Sequence, residues 1–170
     1  MTAAWKTFST GAGPDIHYFV CQGSEPGPVA VDTGGIHGDE YEGPSAIQRL
    51  ARQLDAATLR GKVIGIPVAN PSAFLAGTRT NPEDGCNLAR CFPGDPWGSS
   101  TERLSAALFQ EFIMGADYLI DLHSGGVAYR FLPVAAFYGD AGAGNASYAA
   151  ALAFGLPTLW RLPETAGVLS

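Results

Sequence analysis

Positive charge is scarce in this chain. Lysine and arginine number 10 against 16 aspartates and glutamates, for a formal net charge of -6. A protein that grips a phosphate backbone carries a basic face. The five basic residues Arg49, Arg52, Arg60, Lys62 and Arg79 form no such run, so nucleic acid is excluded as the expected partner. The acidity reads instead as a soluble surface. Cysteine is scarce too: Cys21, Cys86 and Cys91 form no CxxC pair. That excludes a cysteine zinc cluster and speaks against a disulfide framework. No apolar run reaches membrane-spanning length, so no membrane partner is expected. The opening MTAAWKTFSTGAG has no apolar core of signal-peptide length. The expectation is a soluble, cytoplasmic protein.

What is present points to a folded chain. The sequence is 46% hydrophobic and 15% charged, too apolar for disorder. Its 170 residues suit one domain with a sizeable core. Residues 28–33 (PVAVDT) read as a short buried strand ended by Gly34 and Gly35. Residues 43–54 place Ile47, Leu50, Ala51 and Leu54 at helical spacing. Residues 62–68 (KVIGIPV) read as a second strand, broken at Asn70-Pro71. A loop rich in Gly, Pro, Asn and Asp covers 78–100; loops of such length are usually functional or disordered. A helix follows over 101–114, with Thr101 as the expected N-cap. Residues 117–122 and 134–138 read as strands, and 148–154 as a helix. Residues 156–170 show no clear period. This alternation predicts an α/β fold, a mostly parallel sheet flanked by helices.

Histidine is the informative residue. There are three, and two follow predicted strands: His37 in GGIHGDE and His123 in DLHSGG. In a parallel sheet such positions meet at one edge, just past the carboxyl ends of the strands. Glu40 follows His37 at i+3, on the same side of a tight turn. His37, Glu40 and His123 are therefore the candidate metal ligands. Three protein ligands leave a fourth zinc position for water, the pattern of a catalytic site. Zinc lowers the pKa of bound water from ~15.7 to roughly 7 and polarises a carbonyl. Asp39 and Glu42 are rival carboxylates on the same segment. Asp121, two residues before His123, either supports the site or is an ordinary strand-end carboxylate. His17, beside Tyr18 and Phe19 in an expected early strand, reads as structural. The long loop adds Arg79, Asn87 and Arg90; arginine suits carboxylate recognition, but such residues alone are often plain solvated charges.

These segments together resemble the succinylglutamate desuccinylase/aspartoacylase family, within the zinc carboxypeptidase-like group. The matching pieces are 34–44 (GGIHGDEYEGP), 63–104 and 121–126 (DLHSGG), with a weaker match at 153–160 (AFGLPTLW). The resemblance implies a zinc carboxypeptidase-like fold with one zinc per chain, held by His37, Glu40 and His123. It implies that Arg79 polarises the scissile carbonyl and that Arg90 holds the substrate carboxylate. The substrate would be a small anionic molecule such as an N-acyl amino acid, cleaved at an amide or ester bond. Family members often carry Asn just before the second arginine; here that place is Ala89. Asn87 is the candidate to supply the missing substrate-orienting amide.

The resemblance implies that the family's catalytic glutamate lies on a later strand, expected past Ser170. Glu164 is the only late carboxylate, and its surroundings do not match that motif. The chain is thus expected to be, over 1–170, the N-terminal portion of a zinc hydrolase catalytic domain, truncated at its C-terminus. It is expected to bind zinc and to turn over poorly alone. Two other readings stay open: a catalytically impaired zinc-binding or assembly module, and a metallocarboxypeptidase acting on peptides. Homo-oligomerisation also stays open.

Overall fold

The computed structural model describes residues 2–11 and 13–163. Its contacts divide the chain into two compact units, the first reaching Tyr129 and the second beginning at Arg130.

The first unit is built on a five-stranded sheet in the order β1-β2-β4-β3-β5. The strands are β1 (Thr2–Phe8), β2 (Ile16–Gln22), β3 (Glu25–Thr33), β4 (Arg60–Ile66) and β5 (Tyr118–Asp121). β3 pairs in parallel with β4 on one side and with β5 on the other. β1–β2 and β2–β4 are antiparallel. The sheet is therefore mixed, not mostly parallel as the alternation of elements suggests. Within this sheet, alternation describes only β3, β4 and β5, whose connections carry helices and force a parallel return. β1 and β2 are successive strands that pair antiparallel, and β2 adds its other edge to β4. β1 escapes sequence reading because it lies on the outer edge with little buried surface and so lacks a core-facing pattern.

Helix α1 (Glu42–Gln53) crosses from β3 to β4 and buries Ile47 against the sheet. Gly65 admits this contact: a Cβ there would stand 2.7 Å from Ile47 Cγ2. Helix α2 (Pro71–Ala76) follows β4, where the sequence suggests only a strand break. Asn70 caps it, accepting from the Ala73 N–H at 3.2 Å, and Pro71 suits the first helical turn.

Helix α3 (Ser100–Leu108) begins one residue earlier than expected, with Ser99 as the N-cap in place of Thr101. Ser99 and Glu102 form a reciprocal capping box. Thr101 is bonded elsewhere, to Asp84. The helix widens into a π turn over Phe109–Ile113. The core of this unit joins Ile16, Val20, Val31, Ile64 and Ile66 of the sheet to Leu104, Leu108 and Phe112 beyond it.

The second unit pairs β6 (Val134–Tyr138) in parallel with β7 (Thr158–Leu162). Helix α4 (Ala146–Ala153) packs there, with Ala135, Phe137 and Ala151 forming a small core. β7 has no sequence signal because its exposure does not alternate along the strand.

No helix among the described residues is long and apolar enough to cross a membrane.

Candidate metal centre

The register of β3 and β5 brings the candidate ligands together. Thr33 at the end of β3 is paired with Asp121 at the end of β5. The chain leaves both strands at the same edge of the sheet, where open α/β folds place their sites. From β3 it runs through Ile36, which is buried, to His37. The Glu40 N–H then donates to the His37 carbonyl at 3.3 Å, closing a turn just before α1. Gly38 lets this turn press on α2, since a Cβ there would overlap the Ala73 carbonyl. From β5, the Leu122 N–H donates to the Thr33 carbonyl at 2.8 Å, and His123 follows.

His37, Glu40 and His123 converge as expected: one ligand atom from each lies within 4.8 Å of the others. Glu40 is the centre. His37 Nδ1 approaches its Oε1 at 2.8 Å, and His123 Nδ1 approaches its Oε2 at 2.9 Å. The Ser124 N–H donates to Oε2 at 3.0 Å, and Arg79 Nη1 donates to Oε1 at 3.3 Å. His37 and Glu40 are each 3% exposed, whereas His123 is 24% exposed, which leaves one approach open to solvent.

Burial raises the pKa of Glu40, but hydrogen bonds from His123, His37 and Ser124 outweigh it. The net effect holds the carboxyl far below the usual range. His123 shows the complementary effect. Burial acts to lower its pKa, yet bonds to Asp121 and Glu40, with their charges, push it up to about 10.

The donor set fits a divalent cation. Both Nδ1 atoms face one carboxylate at hydrogen-bond distance, so three potential ligand atoms surround a single position. The other ring nitrogens are tied back, which is how metal-binding imidazoles are oriented. His123 Nε2 meets Asp121 Oδ2 at 2.8 Å, and Asp121 is in turn held by the Thr33 hydroxyl at 2.7 Å. Of the two readings of Asp121, the supporting one matches this geometry. His37 Nε2 meets Asn87 Oδ1 at 3.1 Å.

The loop between α2 and α3 supplies the remaining candidates. Arg79 donates to Glu40 through Nη1, and its side chain is 56% exposed. Arg90 ends a short 3₁₀ turn (Leu88–Arg90), is exposed, and donates to the Ala89 carbonyl at 3.1 Å. Asn87 lies against His37 and caps that turn. Ala89 is fully buried in the core, so no side chain from that position faces the site.

Asp84 was not legible as important. It clasps the loop to α3 by accepting from Cys86 N–H, Ser100 Oγ and both Thr101 donors. The Ser124 amide was also missed; its DLHSGG setting was the available signal. Asp39 and Glu42 are not in the ligand group, and Asp39 Oδ1 is buried without a partner among the described residues. His17 pairs with Thr7 between β1 and β2, at 3.1 Å, in keeping with a structural role. Glu164 lies outside the described residues.

Residues 26–169 match the model of the succinylglutamate desuccinylase/aspartoacylase catalytic domain. The chain belongs to this family. Among curated proteins it is 45% identical, over 133 residues, to the N-alpha-acetyl-L-2,4-diaminobutyric acid deacetylase of Halomonas elongata. That similarity covers 77% of this chain and 39% of the deacetylase.

Two solved structures of relatives share the fold. The product-bound ectoine utilization protein EutE (DoeB) of Ruegeria pomeroyi is 40% identical with a TM-score of 0.80, covering 92% of this chain and 48% of that one. An aspartoacylase family protein of Mesorhizobium loti is 32% identical with a TM-score of 0.83, covering 97% and 55%. The chain thus spans about half the length of these structures, and less of the curated relative.

Proposed function

We propose that this chain is the metal-bearing portion of the catalytic domain of a zinc-dependent deacylase. Its reaction is hydrolysis of the bond between an acyl group and the amine of a small amino-acid-like molecule. The observation that carries this reading is the convergence of His37, Glu40 and His123 around one carboxylate. Family membership and the similarity to a named deacetylase support the reaction class.

Zinc bound there would supply an acidified water and polarise the acyl carbonyl. His37, Glu40 and His123 would hold it. Arg79, anchored by one bond to Glu40 and otherwise exposed, orients the acyl carbonyl and offers N–H donors where negative charge develops on its oxygen. Arg90 holds the substrate carboxylate; one Nη is tied to the Ala89 carbonyl and the rest of the guanidinium is available. With Ala89 buried, a side-chain amide just before Arg90 is absent, which argues for a substrate other than acetylaspartate. The similarity to the deacetylase favours an N-acetylated diamino acid.

Release of the free amine by the zinc-loaded protein tests this. N-acetyl-2,4-diaminobutyrate should be cleaved in preference to N-acetylaspartate and N-succinylglutamate. Arg79→Ala should lower kcat by ~10²–10³-fold, the usual loss for a donor to a developing oxyanion. The chain alone should turn over slowly, and the absence of even slow hydrolysis of every N-acyl amino acid by a protein that holds zinc would overturn the deacylase reading.

A further inference from the structure

Asn87 joins the long loop to the metal centre. Its Oδ1 accepts from the Ala89 N–H at 3.0 Å, the capping bond of the turn at Leu88–Arg90. The same oxygen lies 3.1 Å from His37 Nε2. An amide can be turned either way round, and a partner of known role decides which way. A backbone N–H only donates, so the atom facing Ala89 is the oxygen. His37 Nε2, facing that same oxygen, must then carry hydrogen and donate.

We propose that Asn87 is the positioning residue of His37, holding the ring with hydrogen on Nε2 so that Nδ1 is turned to Glu40 and the metal. This rests on the metal-site reading given above. Asn87 is itself fixed from two sides. Its own cap bond sets the side chain, and the Asp84 clasp sets the backbone one residue away. Asp84 Oδ1 accepts from the Cys86 N–H at 2.9 Å and from Thr101 Oγ1 at 2.8 Å. Asp84 Oδ2 accepts from the Thr101 N–H at 2.8 Å and from Ser100 Oγ at 3.1 Å. The start of α3 is thereby connected to His37 through Asp84, Cys86 and Asn87.

The two histidines consequently have unequal supports. His123 is backed by the carboxylate of Asp121, whereas His37 is backed by a neutral amide. A carboxylate raises the basicity of a ligating imidazole more than an amide does. Asn87→Asp keeps the acceptor and adds charge, while Asn87→Ala removes the acceptor.

Zinc affinity is measured by competition with a chromogenic chelator, in wild type, Asn87→Ala and Asn87→Asp. In parallel, ¹⁵N NMR of the histidine rings is recorded on the metal-free chains. Asn87→Ala should bind zinc ~10–100-fold more weakly, the usual loss when such a partner is removed. Asn87→Asp should bind as tightly as wild type or tighter, a rescue that a merely structural role would not give. In the metal-free wild type, the His37 Nε2 proton should be protected and visible; in Asn87→Ala it should be lost to exchange with water. Wild-type zinc affinity in Asn87→Ala, or a His37 Nε2 without hydrogen in wild type, would overturn the proposal. A wild-type chain that binds no zinc would overturn the metal-site reading instead. The ring measurement then decides this inference alone: an Nε2 proton dependent on Asn87 supports it, and its absence overturns it.

Discussion

Thr33 donates its hydroxyl to Asp121 Oδ1 at 2.7 Å, across the β3–β5 register in which the same two residues are paired. This bond ties sheet register to the candidate metal site, because Asp121 then holds His123. Thr33 is 1% exposed, and valine has nearly its shape. Thr33→Val should therefore leave the core filled but leave a buried carboxylate one donor short, at a cost of about 1–3 kcal/mol. It should also weaken zinc binding several-fold through His123. Denaturant unfolding and chelator competition on the same variant check both effects. Lost stability with unchanged zinc affinity would break the link between register and site.

The convergence of the candidate ligands was legible because these residues stand at punctuation points of the chain. His37 and His123 each follow a strand, and rarity of histidine made the pair conspicuous. The parallel β3–β5 pairing then brought them together as a strand-end argument expects. The loop contacts were less legible. Asp84 and Asn87 act through backbone N–H groups, and sequence spacing does not reveal which amide a side chain will meet. The fold was read best where helices cross between strands. The strand holding His17 was expected and is β2, but its antiparallel pairings, which make the sheet mixed, were not, and β1 and β7 were not seen. Edge strands with little buried surface lack the periodicity that sequence reading depends on.

Asp32 provides a test by pH. It is 6% exposed in β3, and burial pushes its carboxyl up to about 6. The unfolded chain has an ordinary aspartate pKa of about 3.9. A raised folded value means that the folded state binds the proton more tightly. That contribution to stability is complete below about pH 4 and is lost as pH rises through about 6. Asp32→Asn should therefore be more stable than wild type near pH 7.5, by on the order of 2 kcal/mol, and should gain little near pH 4. Urea midpoints at the two pH values measure the difference. An equal effect at both would contradict burial as the cause.

Gly38 tests the packing of the turn that carries His37 and Glu40. A Cβ there would meet the Ala73 carbonyl of α2, a backbone group that cannot rotate away. The Gly38 N–H also donates to the Thr78 carbonyl at 2.9 Å, which fixes the turn in place. Gly38→Ala should destabilise the protein by about 1–3 kcal/mol and weaken zinc binding, since the turn carries both His37 and Glu40. Thermal melts with and without zinc report on this. A melt unchanged from wild type would mean that the turn has room to relax.

Metal content of the purified chain, measured by elemental analysis beside His123→Ala and Glu40→Gln, bears most directly on the site. The predicted result is about one zinc per wild-type chain, lost in both variants while their circular dichroism spectra remain those of a folded protein. Absence of zinc from the wild-type chain, even after zinc is supplied at neutral pH, would contradict the assignment of His37, Glu40 and His123 as a metal centre.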